Sequence, residues 1–115
     1  MTDKELLELA AKAAGISLTE AEWHGDGFYW MPLGSRFWNP LTNDGDALRL
    51  MVKLQMQIDV TNICVAVYFF DDVGRCGDIK VGCVDSDWGN DPLRAARRAI
   101  VLAAAEIGKE ASNGS

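Results

Sequence analysis

Hydrophobic positions follow two periods along this chain. Leu6, Leu9, Ala10, Ala13 and Ala14 recur at spacings of three and four, which is one face of a helix. Thr2 caps it, Glu5 completes a capping box, and Gly15 suits a left-handed cap at its end. Phe28-Tyr29-Trp30-Met31 reads as a strand and Pro32-Leu33-Gly34-Ser35 as its turn. Arg36-Phe37-Trp38 begins a return strand that Pro40 ends. A second helix opens at Thr42-Asn43-Asp44-Gly45-Asp46. Thr42 or Asn43 caps it, and Asp44 and Asp46 sit where the helix dipole favours negative charge. Ala47, Leu48, Met51, Val52 and Gln55 share one side, with Leu50 and Leu54 beside them. Arg49 and Lys53 mark the solvent side.

The period then shortens to two. Met56, Ile58 and Val60 alternate with Gln57 and Asp59, as in a half-buried strand, and Thr61-Asn62 is a short turn or a bulge. Ile63 to Phe70 is apolar on both faces, which predicts an interior strand covered on both sides. Asp71 to Asp78 reads as a polar hairpin loop, and Ile79, Val81 and Cys83 as the return strand. Asp91-Pro92 opens the last helix. Leu93, Ala96, Ile100, Ala103, Ala104 and Ile107 form its predicted buried stripe, and Gly108 ends the packed part. Arg94, Arg97 and Arg98 lie opposite. The order is helix–β–β–helix–β–β–helix. Hairpins make the sheet chiefly antiparallel, so the class is α+β with helices packed on the sheet, an α/β/α sandwich. Residues 1–111 form one domain and 112–115 a frayed tail.

Composition narrows the function classes. A chain of 115 residues with 49 % hydrophobic content makes one core without metal or disulfide staples. Its longest apolar run is too short to span a membrane, and no basic segment precedes a hydrophobic stretch at the start, so a cytoplasmic location is expected. The cysteines Cys64, Cys76 and Cys83 are odd in number and lack C-x-x-C spacing; they read as reduced, buried or half-buried thiols. A net charge of -6 argues against general nucleic-acid binding and leaves room for a basic partner surface. The charge is not a uniform coat. It comes from caps and loops, notably Asp44, Asp46, Asp71, Asp72, Asp85, Asp87 and Asp91, while the last helix has a basic face.

From Trp38-Asn39-Pro40-Leu41 through Thr42-Asn43-Asp44-Gly45-Asp46-Ala47-Leu48-Arg49-Leu50, the chain resembles the small phage and prophage proteins described as the phage ABA sandwich domain. Asp91-Pro92-Leu93-Arg94-Ala95-Ala96-Arg97-Arg98-Ala99-Ile100-Val101 matches that group's closing helix. Glu5 to Gly15 is compatible with it, and Ala21 to Arg36 matches less well. The resemblance implies a compact fold with helices on a central sheet, in a phage- or prophage-encoded cytoplasmic protein of unknown function. It brings no activity and no catalytic residue.

Four groups of residues invite a chemical reading. Trp38, Asn39, Asn43, Asp44 and Asp46 form either a recognition loop, with Trp38 as a flat surface and the helix-start amides meeting an anion, or a structural corner of caps and Asx turns. Asp85 to Asp91, with Trp88, lacks the glycine and glutamate of a calcium loop and reads as an acidic turn. His24 stands alone, without the partners a metal site or a Cys–His nucleophile needs. Arg94, Arg97 and Arg98 share one side of the last helix. They are either a solvated face paired with acids such as Asp91, or a dock for an acidic partner or a nucleotide. The tryptophans Trp23, Trp30, Trp38 and Trp88 fill the core or serve an interface; a first hairpin at a sheet edge would leave one or two of these rings exposed, and homodimerisation through it would cover them.

These readings favour a non-enzymatic accessory protein that binds a host or phage protein without a cofactor or metal. The candidate surface comprises Trp38, Asn39, Asn43, Asp44, Trp88, Arg94, Arg97 and Arg98. A small-molecule or nucleotide binder, an acidic mimic of nucleic acid, and a hydrolase using His24 with an acid are the alternatives.

Overall fold

A computed structural model describes residues 2–16, 18, 21–24, 28–31, 36–61, 64–70, 76–82 and 92–113. Among these, three helices and two three-stranded antiparallel sheets make an α+β fold. Helix α1 spans Asp3–Ala14. Strands β1 (Glu22–His24), β2 (Phe28–Met31) and β3 (Arg36–Trp38) form the first sheet. Helix α2 spans Asp44–Lys53, strands β4 (Gln57–Val60), β5 (Cys64–Phe70) and β6 (Cys76–Gly82) form the second sheet, and α3 spans Pro92–Asn113. Each block has one strand more than the sequence order gave. Strand β1 escaped the pattern because three residues are too few to show alternation. Strands β4 and β5 separate because Thr61 turns the chain: its N–H donates to the Cys64 carbonyl at 3.0 Å and its hydroxyl accepts from the Cys64 N–H at 3.1 Å. Thr61 therefore belongs to a turn, and β4 pairs antiparallel with β5.

The helix ends follow local chemistry. The Thr2 hydroxyl accepts from the Glu5 N–H at 3.2 Å and donates to the Glu5 carboxylate at 3.1 Å. Gly15 takes φ 73°, its N–H reaches the Lys12 carbonyl, and the Ile16 N–H reaches that of Ala11. Those two bonds satisfy the last carbonyls of α1. Helix α2 ends the same way without glycine. Gln55 takes φ 54°, its N–H reaches the Val52 carbonyl, and the Met56 N–H reaches that of Met51.

Helices α1 and α3 run parallel. Asp3 pairs with Arg98, Leu6 shares a cavity wall with Leu102 and Ala105, and Leu9 meets Gly108. Gly108 does not end the packed part. It is buried inside α3, where a Cβ would lie 2.9 Å from the Leu9 carbonyl carbon and closer still to its oxygen. Small residues let the helices approach: Ala10, Ala11 and Ala14 on α1, and Ala99, Ala103 and Ala104 on α3, are all buried. Helix α3 continues to Asn113, past the boundary expected for a frayed tail, and residues 114–115 lie outside the described residues. Leu93 is exposed, and Ala95, Ala99 and Val101 are buried in the stripe instead.

The second sheet packs on α3, chiefly through β5 and β6. Val65, Val67 and Phe69 point one way with Val81, and all four are buried. Among the described residues, the two-sided cover expected for β5 is not present. In register beside Ala66 and Tyr68, the outer face carries Gln57, Asp59, Asp78 and Lys80, all exposed, and Tyr68 itself is exposed. Ala66 and Tyr68 are apolar or amphipathic enough to mimic a buried face in sequence, although Ala66 alone is shielded there. On α2 the buried residues are Asp46, Ala47 and Leu50, with Met51 and the following Leu54 partly buried. Leu48 and Val52, which the spacing places on the apolar side of the helix, are exposed. Cys64 is a free, half-buried thiol; the Cys76 side chain and Cys83 lie outside the described residues. No helix among the described residues is long and apolar enough to cross a membrane.

Candidate functional site

The first turns of α1 and α2 meet the first two turns of α3 at one corner of the molecule. Parallel packing of α1 and α3 puts their starts at the same end. The Asn39–Asn43 loop brings the start of α2 to them. Asn39 organises that loop: its side-chain oxygen accepts from the Leu41 N–H at 2.8 Å, and its carbonyl accepts from the Thr42 and Asn43 N–H groups. Asn43 is the cap of α2, its side-chain oxygen accepting from the Asp46 N–H at 2.9 Å. Asp46 is 4 % exposed and turns back to accept from the Asn39 N–H at 2.9 Å. The exposed guanidinium of Arg49 reaches the other Asp46 oxygen at 2.6 Å. Charge-assisted bonds of this kind fix the loop strongly.

Onto this frame α3 lays its arginines. Arg97 donates from Nε to the Leu41 carbonyl at 2.9 Å and from its terminal nitrogen to the Asp44 carboxylate at 2.6 Å. Arg98 donates to the Asp3 carboxylate at 2.9 Å. Arg94 and Arg98 border a small cavity of about 80 Å³ together with Asp3, Leu41 and Thr42. Arg94 is exposed, while Arg97 and Arg98 keep only 17 % and 23 % of their side chains in solvent. Their partners Asp44 and Asp3 are 67 % and 64 % exposed. Three helix starts add their positive dipole ends to three guanidinium groups, and the exposed carboxylates Asp3 and Asp44 sit across them.

The candidate residues thus divide. Asn43, Asp44, Arg94, Arg97 and Arg98 come together at the corner, joining two clusters that sequence treats apart. Trp38 does not present a flat surface: it is 2 % exposed, because its cross-strand neighbour Tyr29 and the core cover it. Asn39 is also buried, and its polar groups serve the loop. Trp88, the Asp85 to Asp91 turn and the side chains of His24 and Trp30 lie outside the described residues. Arg97 and Arg98 pair with Asp44 and Asp3 across helices, partners that sequence distance conceals. Among the described side chains of the first sheet, Phe37 is exposed and Trp23 is half-buried. Among the described residues, no group of three metal-ligating side chains converges.

A second polar pair was missed by sequence reasoning. The Tyr29 hydroxyl donates to Glu8 on α1 at 3.1 Å, across 21 positions. Burial pushes the Tyr29 phenol up to about 12, and the Glu8 hydrogen bond and charge act in the same direction. No local spacing announces a contact of this span.

No protein-family model, curated protein or solved structure matches the chain.

Proposed function

We propose that this chain is a phage- or prophage-encoded accessory protein of the host cytoplasm that acts by binding, and that it docks an acidic protein partner at the corner where α1, α2 and α3 begin. The observation that carries the reading is the arrangement of Arg97 and Arg98 against carboxylates that are themselves mostly exposed, with the exposed Arg94 bordering the same small cavity. Exposed ion pairs contribute roughly 0–1 kcal/mol. A partner's carboxylates can therefore replace Asp3 and Asp44 at little cost, while the Leu41 carbonyl keeps the Arg97 guanidinium positioned. Size favours a protein over a nucleotide here. The cavity between Arg94 and Arg98 is about 80 Å³, whereas small-molecule sites run from roughly 300 to 1,000 Å³. A side-chain carboxylate fits such a notch and a nucleoside does not. Mimicry of nucleic acid gains no support at this corner, where Asp3 and Asp44 alternate with arginines.

The test is capture of proteins from bacterial host extract by the tagged chain and by its Arg94→Glu variant. Arg94 is exposed, so the variant keeps its fold, which a thermal melt verifies. The reading expects a protein held by the wild type, lost in the variant and released by salt. Identical capture by both proteins contradicts it.

A further inference from the structure

Among the described residues, each sheet has two edge strands, and β6, with seven residues, is the longest of them. An edge strand turns part of its backbone N–H and C=O groups away from its one neighbour, and these can take a further strand. The side chains of β6 alternate. Asp78 and Lys80 stand on the outer face, in register with Tyr68 and Ala66, and both are exposed. Ile79 lies between them on the inner face, in register with Val67, and is half-buried. Beside Ile79 a cavity of about 290 Å³ opens, with an apolar wall of Leu6 from α1 and Leu102 and Ala105 from α3. A strand added at β6 therefore gains apolar surface on its inner side as well as a backbone ladder.

The order of the charges selects the strand that fits. A lone lysine on an edge opposes pairing with another copy. Here an aspartate shares its face, two residues earlier. When β6 meets a second β6 antiparallel, with Ile79 opposite Ile79, Asp78 of each copy stands opposite Lys80 of the other. Two opposite-charge cross-strand pairs form together, made identical by the two-fold axis. Centring the pair on Asp78 or on Lys80 instead sets like charges face to face, so one register is favoured. Within one strand Lys80 lies 3.9 Å from Asp78, with 64 % and 53 % of the two side chains in solvent. Such an exposed contact contributes little and need not break, since each carboxylate can meet the lysine of its own strand and that of the other. We propose that the chain forms a two-fold dimer through antiparallel pairing of β6 with β6 of a second copy, centred on Ile79. The two three-stranded sheets then continue as one, and the facing Ile79 side chains cover the apolar cavities beside them. This pairing does not depend on the arginine corner.

Sedimentation velocity of the whole chain, with reductant present and from micromolar to millimolar concentration, tests the pairing. The wild type is expected to shift to twice the monomer mass. Asp78→Lys and Lys80→Asp each set like charges opposite one another at both positions and should weaken the dimer at least about tenfold. An equimolar mixture of the two variants restores both opposite-charge pairs and should regain the dimer. Both exchanges in one chain, Asp78→Lys with Lys80→Asp, should dimerise like the wild type. These residues are exposed, and circular dichroism verifies that each variant is folded. A wild type that stays monomeric at millimolar concentration overturns the proposal and needs no variant. So does a dimer that both single variants leave intact, which places the interface elsewhere, or a mixture of folded variants that remains monomeric.

Discussion

Gly108→Ala probes the contact that sets the whole arrangement. In an isolated helix the change should help, since alanine is favoured over glycine by about 1 kcal/mol in a helix interior. Here the added Cβ would lie 2.9 Å from the Leu9 carbonyl carbon and 3.3 Å from its Cα. Carbon atoms rest comfortably at ~3.5–4.0 Å, so α1 and α3 must separate by roughly 1 Å. The obstacle is backbone, which has no rotamer to yield. Overpacking of this kind costs up to ~3 kcal/mol, which leaves a net loss near 2 kcal/mol after the propensity gain. For 115 residues, with an unfolding entropy of about 2.1 cal/mol/K per residue, that loss lowers Tm by about 8 °C. Circular dichroism at the helix band, with a denaturant titration alongside, reads both quantities. An unchanged or raised Tm would refute backbone contact between α1 and α3 at this point, and with it the parallel packing that gathers the helix starts.

Four further outcomes follow from named contacts. Gln55→Gly relieves a left-handed non-glycine residue at the end of α2 and should stabilise the fold by about 0.5–1 kcal/mol in urea denaturation. Asp46→Ala strands the buried Asn39 N–H and removes the Arg49 bond, and should cost about 2 kcal/mol by the same assay. Tyr29 is stabilised in its protonated form, so its contribution is complete below the ordinary phenol value near 10 and disappears as pH rises through about 12. Wild type should lose stability across that window, and Tyr29→Phe should lack this part of the decline. Asp3→Asn with Asp44→Asn removes two part-exposed ion pairs and should cost less than about 2 kcal/mol yet strengthen capture of an acidic partner, since both competing carboxylates are gone.

Local chemistry was well written in the sequence, and distant contacts were not. Thr2, Gly15 and Asn43 announce helix ends because each acts on backbone within a few residues. The strands Phe28–Met31 and Arg36–Trp38 could be read because β-formers flank a turn-forming tetrapeptide. Residue type misled where burial depends on what lies opposite. Leu48, Val52 and Leu93 are apolar at helical spacing and yet exposed, because α2 and α3 present other faces to the core. Gly108 looks like a terminator until the Leu9 backbone is seen against it. At the site, helical spacing alone puts Arg94, Arg97 and Arg98 on one side, while their meeting with Asp3 and Asp44 is a product of tertiary packing. The aromatic row Trp23–Tyr29–Trp38 requires the strand register, and β1 was too short to supply it from sequence.

The proposed dock is tested most directly by titrating the isotope-labelled chain with a deca-glutamate peptide and following the arginine Nε–H resonances together with the backbone amides. The account predicts that Arg94, Arg97 and Arg98 move with the amides of Leu41 to Asp44, that the shifts saturate, and that salt abolishes them. Shifts confined to other parts of the molecule, or none at those three arginines, would contradict it.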